Sequence, residues 1–416
     1  MDSELTLPLD VLLHIVELLA ASRNDMYSIN SLQNLSQTCK FMVPICRKHL
    51  FSSLYLVSDS GLFERLRDLL SKNPDITRYV KSLRYLMLCP VRDHELNILD
   101  MLIERSSLRS IELSSPRLGV GMNWNSLPES IRSSLVSLIQ LPTVTRLEIN
   151  NFTRFPATAL SGCTNLINLR FDNLELTLPD SESNHVISHS KIPTPACLNI
   201  RATPGFAALL NSASLQAGGP IDFSRVQIAM FDVTSQGDID NINKLIKMTR
   251  QLHYIQITSE FSKCYPFNIL TAKYFVVGVP LELAGLGESL AINAYRTLTS
   301  LGLNIINSTV TSLRGLSREL GFIAGKNILE KLQLDVWFKD ASSYLTHFEL
   351  WSTFDSVLTD SCAFPVLRQV SVTFCWYSRD WSEHEKDAFL ESLKENRFPR
   401  LVESEAVKFD FSVSKF

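Results

Sequence analysis

The sequence predicts an α/β repeat protein, in which a short all-helical segment precedes a solenoid with a parallel β-sheet on its concave side. Two observations predict it. The first ~55 residues show only the apolar spacing of helices, whereas strand-like and helix-like segments alternate from about residue 56 to the end. At 416 residues, the chain is long enough for a small module and a long repeat array.

The first predicted helix lies in LPLDVLLHIVELLA, residues 7–20. Proline is tolerated in a first helical turn, so Leu-Pro marks its start. On a wheel of about 100° per residue, Asp10, His14 and Glu17 share a polar stripe roughly 60° wide. Apolar residues fill about 220° of the rest, whereas the helix of a globular domain needs little more than about 100°. The helix therefore has more apolar surface than one core can use.

Two more short helices are predicted, SLQNLSQTCKFM from Ser31 and PICRKHLF from Pro44, after a polar connector over residues 20–30. Ser31 can cap the first of them. Segments below about 40 residues rarely build a sufficient core alone. These helices are therefore expected to need cover from elsewhere.

The segment from about residue 56 alternates between two patterns. A helix is predicted around Leu62–Leu70, and others in DHELNILDMLIERS from Asp93 and GDIDNINKLIKMTR from Gly237. The strand-like segments share the pattern L-x-x-L-x-L, with other apolar residues allowed. The triplets are Leu83/Leu86/Leu88, Leu108/Ile111/Leu113, Val144/Leu147/Ile149, Leu166/Leu169/Phe171, Val226/Ala229/Phe231, Leu252/Ile255/Ile257, Leu298/Leu301/Leu303, Leu329/Leu332/Leu334 and Leu367/Val370/Val372.

Two intervals between triplets are long. Leu166 and Val226 are 60 residues apart, and Leu252 and Leu298 are 46 apart. Degenerate strands are expected in them, at CLNI near Cys197 and at KYFVVGV near Lys273. Strands and helices repeated in one direction build a right-handed coil in which each unit buries its apolar row against its neighbours.

Composition argues against charged partners. The net charge is −3, with 40 Lys+Arg against 43 Asp+Glu, which favours neither nucleic acid nor an anionic membrane. The acidic start MDSE is unlike a secretory leader, and the first helix is too short and too charged to span a bilayer. The eight cysteines contain no C-x-x-C pair, which is typical of a reducing compartment. A cytoplasmic or nuclear location is expected.

Motifs for catalysis or cofactors are incomplete. GFIAGKN at Gly321 lacks parts of a phosphate-binding loop and is better explained as a helix end, and no G-x-S-x-G elbow occurs. His185 and His189 are four residues apart but lie in a loop-like polar segment. Asp238 and Asp240 fit a helix N-terminus. We therefore expect no enzyme activity, cofactor or metal.

The stretch from Leu7 to Leu56 resembles an F-box. It has Leu-Pro, a helix ending in Ile15-Val16-x-x-Leu19, and LQNLSQTCKFM where the family has a leucine, a Thr-Cys or Val-Cys and a bulky aromatic. The remainder resembles the irregular leucine-rich repeats that follow this box in many fungal and other eukaryotic proteins. The resemblance implies an F-box over residues 1–55 and repeats over 56–416. The connector is longer than usual, and most repeats lack the asparagine or cysteine of a regular unit.

What the resemblance implies is a substrate-recognition subunit of a cullin-based (SCF-type) ubiquitin ligase, which binds the ligase adaptor and an unknown protein target. The alternative is a non-catalytic repeat scaffold whose N-terminal helices only cap the solenoid. By resemblance, the residues that face the adaptor or pack beside it are Leu7, Pro8, Leu12, Ile15, Val16, Leu19, Leu35, Cys39, Phe41 and Met42.

Target binding is expected on the concave face, where the x positions of the repeats point. Four of the five tryptophans fall in the last fifth of the chain, and three aromatic residues there are expected in rim loops just beyond strand ends. Core packing of the last repeat explains this bias equally well. The candidate target-binding residues are Arg84, Tyr85, Arg109, Arg146, Arg170, Tyr254, Lys331 and Arg368 on strands, with Trp337, Trp376 and Tyr377 in the loops.

Overall fold

The computed structural model describes residues 8–21, 26–38, 40–58, 61–88, 93–116, 121–178, 192–215, 219–259, 282–307, 315–338, 348–376, 391 and 393–415. The chain divides into two compact units, Met1–Leu166 and Ile167–Phe416, called the N-terminal and C-terminal units below. Both are α/β, with parallel strands.

The N-terminal unit begins with helices and then alternates. Its helices are α1 (Leu9–Ala21), α2 (Met26–Thr38), α3 (Met42–Leu50), α4 (Leu62–Lys72), α5 (Asp93–Arg105) and α6 (Glu129–Ile139). Its strands are β1 (Ser53–Val57), β2 (Ser82–Leu86), β3 (Ser110–Ser114), β4 (Met122–Asn123), β5 (Arg146–Asn150), β6 (Phe152–Thr153) and β7 (Phe155–Pro156). Short 3-10 helices cover Pro74–Tyr79, Trp124–Ser126 and Ala157–Leu160.

The first three helices pack on a small core of their own. Val16 of α1, Leu32 of α2, and Met42 and Cys46 of α3 are fully buried against one another. The second helix begins at Met26 and not at Ser31, so part of the predicted polar connector is helical. Ser28 is buried within it, which a loop interpretation of that segment did not anticipate.

Strands β1, β2, β3 and β5 pair in that order in parallel register. The triplets Leu108/Ile111/Leu113 and Val144/Leu147/Ile149 are buried throughout, as predicted. The first predicted triplet is wrong, because Leu86 and Leu88 are half-exposed. Pairing of Leu83 with Ile111 and of Tyr85 with Leu113 makes Val80/Leu83/Tyr85 the buried triplet.

An asparagine stabilises the turn after β5. It lies one position before the one that asparagine occupies in a regular leucine-rich repeat. Asn151 has a positive φ of 61°, a conformation that asparagine tolerates better than most residues. Its side-chain amide donates to the backbone oxygen of Ser115 at 3.1 Å. The turn is thereby tied to the chain that follows the neighbouring strand β3.

The C-terminal unit continues the alternation. Its strands are β8 (Asn168–Asp172), β9 (Leu176–Thr177), β10 (Cys197–Arg201), β11 (Ile228–Val233), β12 (Tyr254–Ser259), β13 (Ser300–Asn307), β14 (Lys331–Phe338), β15 (Gln369–Trp376) and β16 (Lys408–Lys415). Its helices are α7 (Phe206–Leu215), α8 (Gln236–Met248), α9 (Leu286–Ile292), α10 (Leu316–Ile323), α11 (Phe348–Thr359) and α12 (Pro399–Glu403), with a 3-10 helix over Ala294–Arg296.

Strand β8 pairs with β10, and β10 to β16 then follow in chain order, each parallel to the next. The six triplets predicted in this part of the chain have their apolar residues buried. The degenerate strand expected at CLNI is β10, which confirms that prediction. The one expected at KYFVVGV lies outside the described residues. Strand β16 was missed, because its aromatic alternation KFDF is not a leucine triplet.

Local signals in the C-terminal unit agree with the structure. Ser235 and Asp238 form a reciprocal capping box at the start of α8, as the acidic start of that helix indicated. Gly325, with φ of 73°, lies in the turn after α10 that leads toward β14.

The last strands are covered by aromatic packing. Trp351 of α11 is buried, with ring centroids 5.2 Å from Phe374 and 5.5 Å from Phe398. Core packing therefore accounts for Trp351. Within the described ranges, no helix is both long enough and apolar enough to cross a bilayer.

Candidate functional site

One side of α1 exposes a row of aliphatic side chains. Val11 is 41%, Ile15 37% and Leu18 56% exposed. With about 100° per residue, these three positions share a face about 60° wide, between the polar stripe and the buried side. Residues at i, i+4 and i+7 form a continuous apolar row on a helix. We call Val11, Ile15 and Leu18 the α1 apolar row.

The row is exposed because the bundle core is already filled from another side of α1. Val16 occupies that core, and Leu12 and Leu19 pack half-buried against it. Val16 and Met42 are 0% and 1% exposed, so they support the surface from beneath and do not lie on it. Of the two predicted roles, facing the adaptor or packing beside it, their burial favours the second.

The remaining predicted adaptor residues differ in exposure. Pro8 and Phe41 are exposed and Leu35 is half-buried, whereas Leu7 and Cys39 lie outside the described residues. The family motif did not single out four exposed aliphatic residues, Leu9, Val11, Leu13 and Leu18. The width of the apolar arc on the helical wheel was the signal that could have found them.

The second candidate surface is the sheet face whose side chains alternate with the buried ones, called the open face of each unit. In the N-terminal unit, register places Tyr55, Arg84, Glu112 and Glu148 in one row across β1, β2, β3 and β5. The Arg84 guanidinium lies 5.9 Å from the Tyr55 ring centroid and donates to Glu112. That hydrogen bond raises the pKa of Arg84.

Tyr85 does not belong to this face. Its ring is buried, and its hydroxyl donates to the carboxylate of Glu95, which also accepts from Ser58 at 2.7 Å. Burial and the hydrogen bond to Glu95 raise the pKa of Tyr85 far above its ordinary value. The repeat pattern predicted a surface position for this tyrosine. A buried partner for its hydroxyl instead allows the ring to pack in the core.

The other predicted target-binding residues are spread over both open faces and the chain just before the strands. Arg84, Arg109, Arg146, Lys331 and Arg368 are exposed, and Arg170 and Tyr254 are half-buried. The predicted loop position of two tryptophans is wrong, because Trp337 lies within β14 and Trp376 is the last residue of β15. Tyr377 lies outside the described residues.

The C-terminal unit's open face carries a line of charges at β8, β10 and β11. Arg201 contacts Asp232 on one side, and its Nη1 lies 3.9 Å from Asp172 Oδ2 on the other. Burial raises the pKa of Asp232, although the charge of Arg201 opposes the shift. Arg201 is thus shared between two carboxylates on the neighbouring strands, which ties the ends of β8, β10 and β11 together.

Asp335 differs from the other carboxylates on the open faces. Glu112, Glu148, Asp172, Asp232 and Asp410 each have an arginine or lysine within 4 Å. Among the described residues, Asp335 has no such cation, and Gln333 Nε2 donates to its Oδ2 at 2.9 Å. Lys331 is four residues back along β14, about 13 Å away at the rise of a strand.

A cavity of about 10 Å³ lies in the C-terminal unit beside Ile200, Phe206, Phe231 and Ile242, which is room for about one water molecule. In the part of the chain that is described, no three His, Cys, Asp or Glu side chains are grouped to hold a metal ion. Burial raises the pKa of Cys163 to about 12, so this thiol is a small core residue.

No protein-family model matches the chain, and no curated protein matches it.

Proposed function

We propose that the chain is the target-recruiting subunit of a cullin-based ubiquitin ligase, whose N-terminal helices form an F-box and bind the ligase adaptor. The α1 apolar row carries this proposal. A row of three exposed aliphatic residues on a helix whose core is already complete is typical of an interface surface. In such a complex, the adaptor would cover the row, as one half of a core covers the other.

The repeats would supply the second function. Parallel strands paired in chain order, with buried triplets and helices between several of them, support a leucine-rich-repeat solenoid in each unit. Their open faces carry mixed charges and aromatic residues rather than a continuous apolar surface. Such faces suit a protein target, and a subunit that only holds its target needs no catalytic group of its own.

Co-expression of the full chain with the adaptor tests the proposal. We expect a stable complex that co-purifies, and loss of that complex when Val11, Ile15 and Leu18 are all changed to aspartate. Charges at three positions facing an apolar partner would leave buried, unpaired ions. Thermal unfolding of the free variant should stay close to that of the unmodified chain, because no member of the row belongs to the bundle core.

Tyr55→Asp provides the matched control. Tyr55 lies in the same unit and is about as exposed as Leu18, but on the sheet and not on α1. This control should bind the adaptor normally. Failure of the unmodified chain to bind the adaptor would refute the proposal, and so would full binding by the triple variant.

One observation favours a second function. Helix α3 packs against the 3-10 helix Pro74–Tyr79 and leads directly into β1, so the N-terminal helices also cover the start of the repeats. A scaffold whose helices serve only as this cap would ignore the adaptor. The unmodified chain would then fail to bind the adaptor while its repeats still bind a target, and this result distinguishes the scaffold from the ligase subunit.

A further inference from the structure

We infer that Asp335 and Trp337 on the open face of the C-terminal unit bind an arginine side chain from an extended segment of a protein target. The inference rests on the proposed recruiting function and gives its target a chemical class. It depends on the charge and the neighbouring side chains of these two half-buried residues on strand β14.

The first observation is an uncompensated charge. Among the described open-face carboxylates, Asp335 is the exception that lacks an arginine or lysine within ion-pair distance. Its one described side-chain partner is the Gln333 amide, which orients the carboxylate without neutralising it. The charge also acts on its surroundings, because burial and, to a smaller extent, the Asp335 carboxylate raise the pKa of Cys375 to about 11.

The second observation is the set of groups beside that charge. Trp337 follows two residues later on the same strand, so its half-buried side chain is on the same face. On the adjacent strand β13, register places Asn304 opposite Asp335 and glycine at position 302 opposite Gln333. Asn304 Oδ1 is buried, and the structure shows no hydrogen-bond donor for it.

These groups accept hydrogen bonds and attract cations. A carboxylate with an amide oxygen nearby calls for a donor that carries positive charge, and an indole ring adds cation–π attraction. Arginine fits both better than lysine, because its planar guanidinium pairs with a carboxylate through two N–H groups and stacks on an aromatic ring. An extended segment is expected because the site is on an open sheet face and not in a pocket.

In the test, a library of displayed random peptides is selected for binding to the immobilised full chain, without adaptor. Selected peptides are then labelled, and their dissociation constants are measured by fluorescence anisotropy. We expect peptides that share an arginine. Replacing that arginine by citrulline, which is neutral and nearly isosteric, should weaken binding by about tenfold or more, and lysine should weaken it less.

Variants locate the binding on the protein. Asp335→Asn keeps the shape of the side chain and removes its charge, so it should weaken peptide binding as much as citrulline in the peptide does. Trp337→Leu should also weaken binding, with thermal unfolding as the check that it folds. Asp410→Asn is the matched control: it removes another open-face carboxylate, one paired with Lys408, and should leave affinity unchanged.

Two results would overturn the inference. One is a selection that yields no arginine-dependent peptides, and the other is undiminished affinity for Asp335→Asn. Adaptor binding is scored separately. Asp335→Asn should bind the adaptor as the unmodified chain does, whereas the triple variant of the α1 apolar row should lose the adaptor and retain the peptides.

Discussion

Helix α1 and strand β5 lie in the same N-terminal unit, yet they differ in the exposure of their aliphatic residues. Every member of the triplet Val144/Leu147/Ile149 is buried, whereas Val11, Ile15 and Leu18 are exposed. Burial of aliphatic surface is favourable in water, so the strands use it for folding. Helix α1 retains apolar surface that its own fold does not cover, which is why we assign it to a partner.

The sharpest test of this contrast is a truncation in the strands. Leu147→Ala should lower the free energy of unfolding by about 2–5 kcal/mol, because it removes a buried side chain and leaves a cavity between strand and helices. Chemical unfolding followed by circular dichroism measures it. A loss below about 0.5 kcal/mol would mean that the triplets do not carry the core.

A smaller loss is expected from the buried hydroxyl. Tyr85→Phe keeps the ring but removes the donor to buried Glu95, and loss of the partner of a buried polar group costs about 1–3 kcal/mol. The same unfolding measurement applies. Ser110→Ala, a half-buried position on the adjacent strand, is the control and should change little. Equal stability of Tyr85→Phe and the unmodified chain would show that Tyr85 contributes only its ring.

In the C-terminal unit, Asp355 accepts hydrogen bonds from the backbone N–H groups of Arg400 and Leu401, at 3.0 and 2.9 Å. It thereby caps the start of α12. Asp355→Ala should cost about 0.5–2 kcal/mol, as for other capping residues, with Asp355→Asn retaining part of it. An alanine variant as stable as the unmodified chain would refute the capping role.

The same residue should make stability depend on pH. Burial raises the folded-state pKa of Asp355, although the two backbone N–H groups oppose the shift. A raised pKa means that folding favours the protonated form. This contribution is therefore complete below the ordinary aspartate pKa and is lost as pH rises through the raised value. Unfolding of Asp355→Asn across that range should lack this component, and an unchanged profile would contradict it.

The smallest effect on stability is expected in the α1 apolar row. Leu18→Ser should change the free energy of unfolding by less than about 0.5 kcal/mol, because this side chain is mostly exposed. If it destabilised the free chain as much as Leu147→Ala does, the α1 apolar row would be part of the core. The contrast with the strands, and the reason for proposing a partner, would then fail.

Periodicity alone predicted much of this architecture. The strand triplets from Leu108 onward are buried because an alternating apolar row is stable only on a covered sheet face. The helices at Asp93 and Gly237, and the acidic start of the latter, followed from equally local signals. These features depend on neighbours in the chain, so the sequence contains them directly.

Tertiary contacts decided the rest. Tyr85 is buried because Glu95, ten positions later, accepts its hydroxyl, and no local pattern shows that pairing. Whether a carboxylate on the open face is neutralised depends on strand register, which separates Asp335 from paired Asp232 although both are aspartates on β-strands. Likewise, the sequence determined that α1 has surplus apolar surface, but the packing of Val16 inward decided which side remained exposed.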